Sequence, residues 1–200
     1  MSRQQTALVV EGGAMRGIFA AGVLDAFLAK GKTQFDHCIG VSAGAVNLAA
    51  YLAGQQGRNH RVITDYSCRP EFINFGKFLR GGHWLDLDWL WGITIREIRL
   101  DLAHFAANPV PLTVVTTRVA DGQVAYLRAT AAELEQQIKA SCSVPLAYRH
   151  FVRIGGEAMT DGGVADSIPV RHAYEQGARD ITVVLSRPLG YRKRAPRLPA

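Results

Sequence analysis

The sequence is short of cysteine and has no long apolar run, and each shortage excludes a class of protein. The three cysteines, Cys38, Cys68 and Cys142, are far apart and form no CxxC pair. A disulfide framework or a zinc site is therefore not expected, and a reducing compartment, the cytoplasm, is predicted. No stretch of about eighteen apolar residues occurs, so no transmembrane helix is predicted. Residues 1–7 lack the apolar core of a signal peptide.

Histidine spacings typical of metal sites are also missing. The six histidines are scattered, with no HxxxH or HxH pattern. His150 and His172 could pair with carboxylates, but such pairing does not need a metal. The sequence therefore predicts neither a bound metal nor a cofactor.

The positive charge of the chain is concentrated at one end. The formal net charge is +6 over 200 residues, and residues 187–200 hold five basic residues and no acidic one. We expect one globular domain over residues 1–186, followed by a basic tail that is either a solvated terminus or a truncated end. Such a tail can touch anionic lipid, so peripheral membrane contact is one hypothesis. No nucleic-acid-binding module is recognisable, so no nucleic-acid partner is expected, and the pattern indicates no oligomeric state.

The first quarter of the chain alternates between strand and helix patterns. The apolar runs Ala7–Glu11 and Phe35–Val41 indicate buried strands. Each is followed by an apolar helical segment, first Gly17–Lys30 and then Ala43–Ala53. This order is typical of a parallel sheet with covered faces, so we expect an α/β fold with a mostly parallel central sheet.

The rest of the chain predicts further strands and helices with less regularity. Asp101 is expected to cap a helix that ends at Ala107. The other predicted elements are a helix over Arg58–Tyr66, a hairpin over Leu112–Leu127, a helix from the capping box Thr130–Glu133 to Ser141, a hairpin over Phe151–Thr160, a helix from Pro169 to Gln176 and a strand over Ile181–Leu185.

A GxSxG motif, Gly40-Val41-Ser42-Ala43-Gly44, lies between a predicted strand and a predicted helix. A sharp turn at such a junction exposes a serine hydroxyl, which is the arrangement of a nucleophile elbow. The N-terminus of the following helix favours negative charge near that hydroxyl. Taken alone, the motif fits equally well a serine that caps a tight turn.

A glycine-rich loop, Gly12-Gly13-Ala14-Met15-Arg16-Gly17, occupies the other strand-to-helix junction. Ala14 interrupts the GxGxxG pattern of dinucleotide-binding loops, and Ile18 and Phe19 stand where a Walker A loop needs lysine and serine or threonine. An oxyanion hole fits better, because it needs only N–H donors near a nucleophile and a cation such as Arg16 to hold the loop. Adjacent parallel strands would bring this loop and Ser42 to the same end of the sheet.

A third motif, Asp161-Gly162-Gly163, follows the second predicted hairpin. A carboxylate beside two flexible residues can be presented at a loop tip. Taken alone, the motif is better explained as an ordinary turn.

Together the three motifs resemble the patatin-like phospholipase family, whose pattern is a glycine-rich loop with a basic residue, then GxSxG, then Asp-Gly-Gly or Asp-Gly-Ala. Their order and context agree over nearly the whole chain, as far as Ser186. The resemblance implies a three-layer α/β/α patatin-like domain over residues 1–186. It also implies a serine lipid acyl hydrolase, that is, a carboxylic ester hydrolase that needs no cofactor.

The resemblance assigns roles to particular residues. It implies Ser42 as the nucleophile and Asp161 as its general base. The implied oxyanion loop consists of Gly12, Gly13, Ala14, Arg16 and Gly17, with Gly40 and Gly44 in the elbow and Gly162 and Gly163 beside the base. Asp161 would take the Ser42 proton during attack on an ester, and water would then release the acyl group.

Two departures from the family pattern keep alternatives open. Ala14 replaces the usual third glycine, and a positive φ there would be strained by its methyl group. A catalytically weak or inactive lipid-binding protein of the same fold is therefore one alternative. A Ser-Asp-His esterase using His172 is another, although only one strand precedes the nucleophile strand here. The chain also ends soon after its last predicted strand, where relatives often continue.

The sequence leaves the substrate open among phospholipid, lysophospholipid, neutral glyceride and short-chain ester. Residues 72–91 are rich in aromatics and include all three tryptophans. Tryptophan suits the boundary between water and acyl chains, so a lid or mouth over Ser42 is one hypothesis for this segment. A segment that completes the core is the plainer interpretation.

Overall fold

A seven-stranded mixed sheet lies at the centre of the molecule. The computed structural model describes residues 4–32 and 34–192, so the last part of the expected basic tail, 193–200, lies outside the described residues. The strands are β1 (Thr6–Val10), β2 (His37–Val41), β3 (Leu112–Arg118), β4 (Val124–Arg128), β5 (Val152–Ile154), β6 (Glu157–Asp161) and β7 (Asp180–Val184). β3, β2, β1 and β7 are neighbours in that order and run parallel, whereas β4, β5 and β6 pair antiparallel.

Helices cover both faces of this sheet. They are α1 (Gly17–Ala29), α2 (Ala43–Leu52), α3 (Arg58–Arg61), α4 (Phe75–Leu79), α5 (Leu87–Glu97), α6 (Leu102–Ala107), α7 (Leu134–Ser141) and α8 (Val170–Glu175). Alternate residues of β1 face opposite layers: Leu8 packs in a core with α1, α2, α6 and α7, whereas Val9 packs in a second core with α8. The predicted three-layer α/β/α architecture is confirmed. Among the described residues, no helix combines the length and apolar character needed to cross a bilayer.

The placement of β6 follows from the pairing of β3. A strand has two edges, and β4 occupies one edge of β3 along residues 113–117. β2 and β6 must therefore share the other edge, where β2 pairs up to Val115 and β6 begins at Thr116. Val41 pairs with Val115 and Asp161 pairs with Thr116. The carboxyl end of β6 thus meets the carboxyl end of β2, and Asp161 lies next to the residue that follows Val41.

A third cluster of buried side chains lies outside the sheet. Residues 66–98, which we call the cap, contain α4 and α5, and they bury Phe72, Leu87 and Leu90 against Tyr148. The core role expected for part of the aromatic segment is correct for Phe72, and Trp89 and Trp91 pack against the same cluster while remaining partly exposed. Trp84 is exposed and lies outside that cluster.

Two predicted helices differ in detail from the structure. The segment predicted as a helix over Arg58–Tyr66 is α3 followed by a π-helix over Val62–Tyr66. The capping box at Thr130 does not open a helix at that position, because residues 131–133 form a turn and α7 begins at Leu134. The Thr130 hydroxyl contacts the Glu133 side chain at 3.4 Å rather than a backbone N–H. The predicted cap at Asp101 is confirmed, since its carboxylate accepts the N–H of His104.

Candidate active site

Ser42 sits at a sharp turn between β2 and α2. Its backbone has φ 52° and ψ −126°, a conformation that is strained for a residue with a side chain. The following helix packs tightly on β1: a Cβ on Gly44 would lie 2.3 Å from the Val10 carbonyl oxygen, so only glycine fits there. The turn therefore has the geometry of the elbow that the motif predicts, and it lies at the carboxyl end of the parallel strands.

Ser141 holds the backbone of this turn from the last residue of α7. Its hydroxyl accepts the Ser42 N–H at 2.7 Å and donates to the Val115 carbonyl at 2.6 Å. Ser141 is fully buried, so neither bond competes with water. The Ser42 N–H is consequently engaged and does not point at a ligand.

Asp161 meets Ser42 at the junction of β6 and β2. Its carboxylate accepts the Gly163 N–H at 2.7 Å and lies close enough to the Ser42 hydroxyl to interact with it. Burial raises the pKa of Asp161, and the interactions with Ser42 and Gly163 lower it less than burial raises it. The Thr117 hydroxyl donates to the Asp161 carbonyl at 2.8 Å, and the Asp161 N–H donates to the Ser143 carbonyl, so the backbone that carries the carboxylate is fixed.

The glycine after Asp161 allows this approach. A Cβ on Gly162 would lie 2.2 Å from the Val115 carbonyl oxygen. The same carbonyl accepts the Ser141 hydroxyl. One peptide of β3 is therefore in contact with both the segment that carries the acid and the side chain that fixes the Ser42 turn.

The glycine-rich loop lies against Ser42. A Cβ on Gly12 would stand 3.0 Å from the Ser42 Cβ and from the Val41 carbonyl oxygen. Among the described residues, the N–H groups of Gly12, Gly13 and Ala14 donate to no protein acceptor. The loop thus presents unpaired N–H donors beside the serine hydroxyl.

Ala14, Arg16 and Gly17 finish the loop. Ala14 has φ 47°, the left-handed conformation in which a methyl group is strained. The exposed Arg16 folds back over the loop, because a Cβ on Gly13 would meet its guanidinium at 3.3 Å. Gly17 starts α1, and its carbonyl accepts the Asn47 side-chain amide at 2.8 Å, which ties the loop to α2.

An apolar cavity of about 140 Å³ opens beside Ser42. The cap supplies one wall, and residues of the glycine-rich loop, α2, α3, the π-helix and α7 contribute to the others. The larger apolar side chains along it are Met15, Val46, Val62, Ile63, Phe72, Ile73, Leu85, Leu87, Leu90, Trp91, Ile95, Leu100, Ile138 and Val144. Part of the aromatic segment therefore lines the cavity that contains Ser42, while several of its residues also belong to a core.

Cys142, the residue that follows α7, also lines the cavity. Its thiol contacts the Ser42 hydroxyl, and burial together with the nearby Asp161 charge raises its pKa. The side chain therefore remains a thiol at neutral pH rather than a second nucleophile.

His172 is placed elsewhere. Its ring stacks on Tyr126 with 3.6 Å between the centroids, on the layer formed by α8. Within the described residues, no hydrogen bond or ion pair joins it to Ser42 or Asp161. Burial lowers the pKa of His172.

One group of described residues has side chains that suit a metal. His83, Asp88 and His150 each place one possible ligand atom within 4.8 Å of the others. The Asp88 carboxylate already accepts from Lys139 at 2.5 Å and from the Tyr148 hydroxyl. His83 accepts the Arg149 N–H at Nδ1, which leaves the proton of a neutral ring on Nε2, facing Asp88. These groups satisfy one another as a polar cluster, and the suggested pairing of His150 with a carboxylate is seen here.

The residues that the sequence motifs missed are polar side chains outside those motifs. Ser141 ends the segment predicted as a helix and belongs to none of the three motifs, so no sequence signal identifies it as a site residue. Asn59 is buried and donates to the Asn47 side chain at 3.0 Å, and Asn47 in turn binds Gly17. An asparagine within the apolar α2 segment is the one hint that the sequence offered.

Comparison with known proteins identifies the family and the fold of the chain. The family model described as patatin-like phospholipase matches residues 8–174. The uncharacterized protein YjjU of Escherichia coli (strain K12) is 38 % identical over 185 residues, which cover 91 % of this chain and 52 % of that protein. The crystal structure of VipD from Legionella pneumophila superposes with a TM-score of 0.56 at 14 % identity, over 82 % of this chain and 47 % of that chain.

These relatives define the extent of the likeness. The chain spans about half the length of YjjU and of VipD. The VipD likeness shows the fold, and the family match covers all three sequence motifs. The chain belongs to the patatin-like phospholipase family, which is a family of lipid acyl hydrolases.

Proposed function

We propose that this chain hydrolyses lipid esters with Ser42 as nucleophile and Asp161 as general base, through an acyl-enzyme. The observation that carries the proposal is the contact between the two side chains at the end of an apolar cavity. A strained turn presents the serine hydroxyl, and a buried carboxylate with a raised pKa lies beside it. A base with a raised pKa is a better proton acceptor than an aspartate in water.

The reaction has two halves. In the first, Ser42 Oγ bonds to the ester carbonyl carbon, Asp161 takes the hydroxyl proton, and the carbonyl oxygen becomes an oxyanion. Collapse breaks the bond to the leaving alcohol, which receives the proton from Asp161. In the second half, Asp161 takes a proton from water, the resulting hydroxide attacks the acyl-enzyme, and Ser42 regains its proton as the acid leaves.

The glycine-rich loop is the proposed oxyanion hole. The N–H groups of Gly12, Gly13 and Ala14 have no acceptor among the described residues, and Gly12 is in contact range of Ser42. The Ser42 N–H is bound to Ser141, so the loop has to supply the donors. Arg16 stabilises the loop by lying over Gly13.

The cavity supports a lipid rather than a polar substrate. Its wall is mostly apolar side chains, which favour an acyl chain through the hydrophobic effect. Phospholipid, lysophospholipid and neutral glyceride all carry such a chain beside an ester. A peripheral contact with the membrane would give the cavity access to them.

A Ser-Asp-His esterase is less well supported. His172 stacks on Tyr126 and has no bond to Asp161 within the described part of the chain. A mechanism in which histidine is the general base would need its imidazole between the serine and the acid.

A lipid-binding protein with weak or no activity is the second candidate, and the strained backbone of Ala14 favours it. Such a protein would keep the cavity but hold its oxyanion donors in poor geometry. It would bind fatty acid or lysolipid without turnover.

Labelling with a fluorophosphonate probe separates these functions. We expect the wild-type protein to be labelled, Ser42→Ala to lose the label, and the matched buried variant Ser143→Ala to keep it. Hydrolysis of ester substrates that vary in acyl length and head group then identifies the substrate. If the folded wild-type protein takes no label and hydrolyses no ester, the proposed chemistry is wrong and the lipid-binding candidate replaces it.

A further inference from the structure

The outer face of the cap carries exposed apolar side chains that touch one another. Phe75 is 55 % exposed, Leu79 70 % and Trp84 44 %. The Phe75 ring lies 5.8 Å from Trp84 and 5.9 Å from Phe78, centroid to centroid. Single exposed apolar residues are normal on a protein surface, but a contiguous group indicates a contact surface. We call Phe75, Phe78, Leu79 and Trp84 the apolar patch.

The apolar patch adjoins the mouth of the Ser42 cavity. Ile73 and Leu85 pair in a short antiparallel bridge, and both side chains line the cavity. Trp84 precedes Leu85 in the chain and is 44 % exposed, so an exposed ring lies next to a residue of the cavity wall. The Ala147 carbonyl accepts the N–H groups of Trp84 and Leu85, and its neighbour Leu146 is 84 % exposed with φ 69°. A leucine held in a strained conformation and turned to water extends the exposed apolar surface at the same rim.

The charge around the patch is positive. Residues 74–85 contain two basic residues, Lys77 and Arg80, and no acidic one. The Lys77 ammonium binds the Asp86 carboxylate, so its charge is balanced. Arg80 is exposed and has no carboxylate partner among the described residues.

Arg149 adds a second unbalanced cation. It is exposed, and its guanidinium lies 4.6 Å from the centre of the Phe78 ring. It donates to the carbonyls of Gly82 and Phe78, and it has no acidic partner within the described residues. Cations beside exposed aromatic rings match the layered chemistry of an anionic bilayer, in which phosphate groups lie above acyl chains.

We propose that the apolar patch, together with Arg80 and Arg149, docks the protein on an anionic lipid bilayer and so sets the cavity mouth at the lipid surface. The inference deepens the proposed function, since it rests on a lipid substrate for the same site. A second copy of the chain is a poorer occupant. In a two-fold symmetric pair the same patches face each other, which would bring the unbalanced arginines of both copies together.

Binding to vesicles tests this proposal without turnover. The full chain carrying Ser42→Ala is mixed with sedimentable vesicles of phosphatidylcholine, or of phosphatidylcholine with phosphatidylglycerol, and the bound fraction is measured. We expect binding mainly to the anionic vesicles. Leu79→Ser and Trp84→Ala should each lower the partition coefficient about ten-fold, because each removes apolar surface that would enter the interface.

Charge variants and matched surface variants complete the experiment. Arg80→Gln should lower anionic binding about five-fold, the effect of one basic residue near such a surface. Tyr174→Ala and Arg128→Gln remove exposed groups elsewhere and should leave binding unchanged. Circular dichroism and the thermal midpoint establish that each variant is folded.

Activity measurements separate this proposal from the proposed function. In the protein that retains Ser42, Leu79→Ser and Trp84→Ala should reduce the hydrolysis of lipid in anionic vesicles in parallel with binding. Both variants should leave the hydrolysis of a soluble short ester unchanged. Vesicle binding that persists in a protein without esterase activity would disprove the function and retain the docking surface. Equal binding by the patch variants and the wild type would overturn the docking proposal, as would binding that ignores lipid charge. Concentration-dependent dimerisation lost in Leu79→Ser would overturn it in favour of self-association.

Discussion

The corner around Ser42 and the cap are packed in different ways. At the corner, backbone lies against backbone: Cβ atoms on Gly44 and Gly162 would collide with the carbonyls of Val10 and Val115. In the cap, side chains such as Phe72 and Leu87 fill a small core, and the opposite surface exposes Phe75 and Leu79. The two glycines at the corner therefore admit no larger residue, whereas the cap can change its surface while keeping its core. The difference is the one expected between the proposed reaction centre and the proposed docking surface.

Asp161→Asn should produce the largest contrast between activity and stability at the corner. Loss of the general base should lower turnover by about 10²- to 10⁴-fold. Burial raises the folded-state pKa of Asp161, so its stabilising contribution is full below the unfolded pKa and is lost as the pH rises through the folded pKa. Asparagine is neutral throughout, so the variant should melt at a higher temperature than the wild type at neutral pH, and this advantage should shrink in acid.

Calorimetry across pH and ester hydrolysis measure both effects. In the wild type, kcat/KM should rise with pH as Asp161 loses its proton, with a midpoint above the ordinary range of aspartate. A variant with near wild-type turnover would remove Asp161 from the mechanism.

Ser141→Ala should reduce turnover about 10- to 100-fold, because the buried Ser42 N–H and Val115 carbonyl both lose their partner. Ser141 acts through the backbone of the turn, so kcat should fall while KM for a soluble ester stays close to its wild-type value. Ser143→Ala is the matched control: this serine is also buried, but its hydroxyl bonds only the Lys139 carbonyl. Equal effects of the two variants would mean that Ser141 has a general structural role.

Trp89 and Trp84 both lie in the cap, but their replacement by alanine should affect stability differently. Trp89 packs against the cap core, so Trp89→Ala should lower the free energy of unfolding by about 2 kcal/mol or more. Trp84 is largely outside that core, so Trp84→Ala should change stability by about 0.5 kcal/mol or less. Denaturant unfolding of the two variants measures this difference. Equal destabilisation would show that Trp84 is a core residue and would weaken the docking surface.

Substitutions in the oxyanion loop should change turnover moderately. Arg16→Ala should reduce turnover, since the guanidinium lies over Gly13 and holds the loop. Ala14→Gly should leave activity unchanged or raise it, because relief of a left-handed alanine is worth about 1 kcal/mol. Steady-state kinetics on a soluble ester measure both. A fully active Arg16→Ala would make Arg16 an ordinary solvated residue at the helix start.

The smallest effect is expected at His172. Its ring stacks on Tyr126 in another layer, so His172→Ala, once shown to be folded, should change turnover little. A loss as large as that of Ser42→Ala would restore the Ser-Asp-His alternative.

Much of the corner could be predicted from the sequence because its signals are local. The elbow at Ser42 and the glycines around it follow from short-range sterics, and the strain foreseen at Ala14 is present as a positive φ. The predicted start of α7 is wrong, because the Thr130 hydroxyl bonds the Glu133 side chain and residues 131–133 form a turn before the helix begins. Trp84 and Trp89 could not be told apart, since composition does not say which face of a segment is covered.

The sequence by itself determined the βαβ order, the elbow with its required glycines and the family of the chain. These features depend on neighbours along the chain, whose sterics and apolar spacing can be read directly. The tertiary structure alone decided that β6 meets β2 end to end, which brings Asp161 to Ser42. It also decided that Ser141 clamps the turn and that the cap leaves an apolar patch exposed. Contacts between segments far apart in the chain depend on how the whole core closes, and no local pattern encodes them.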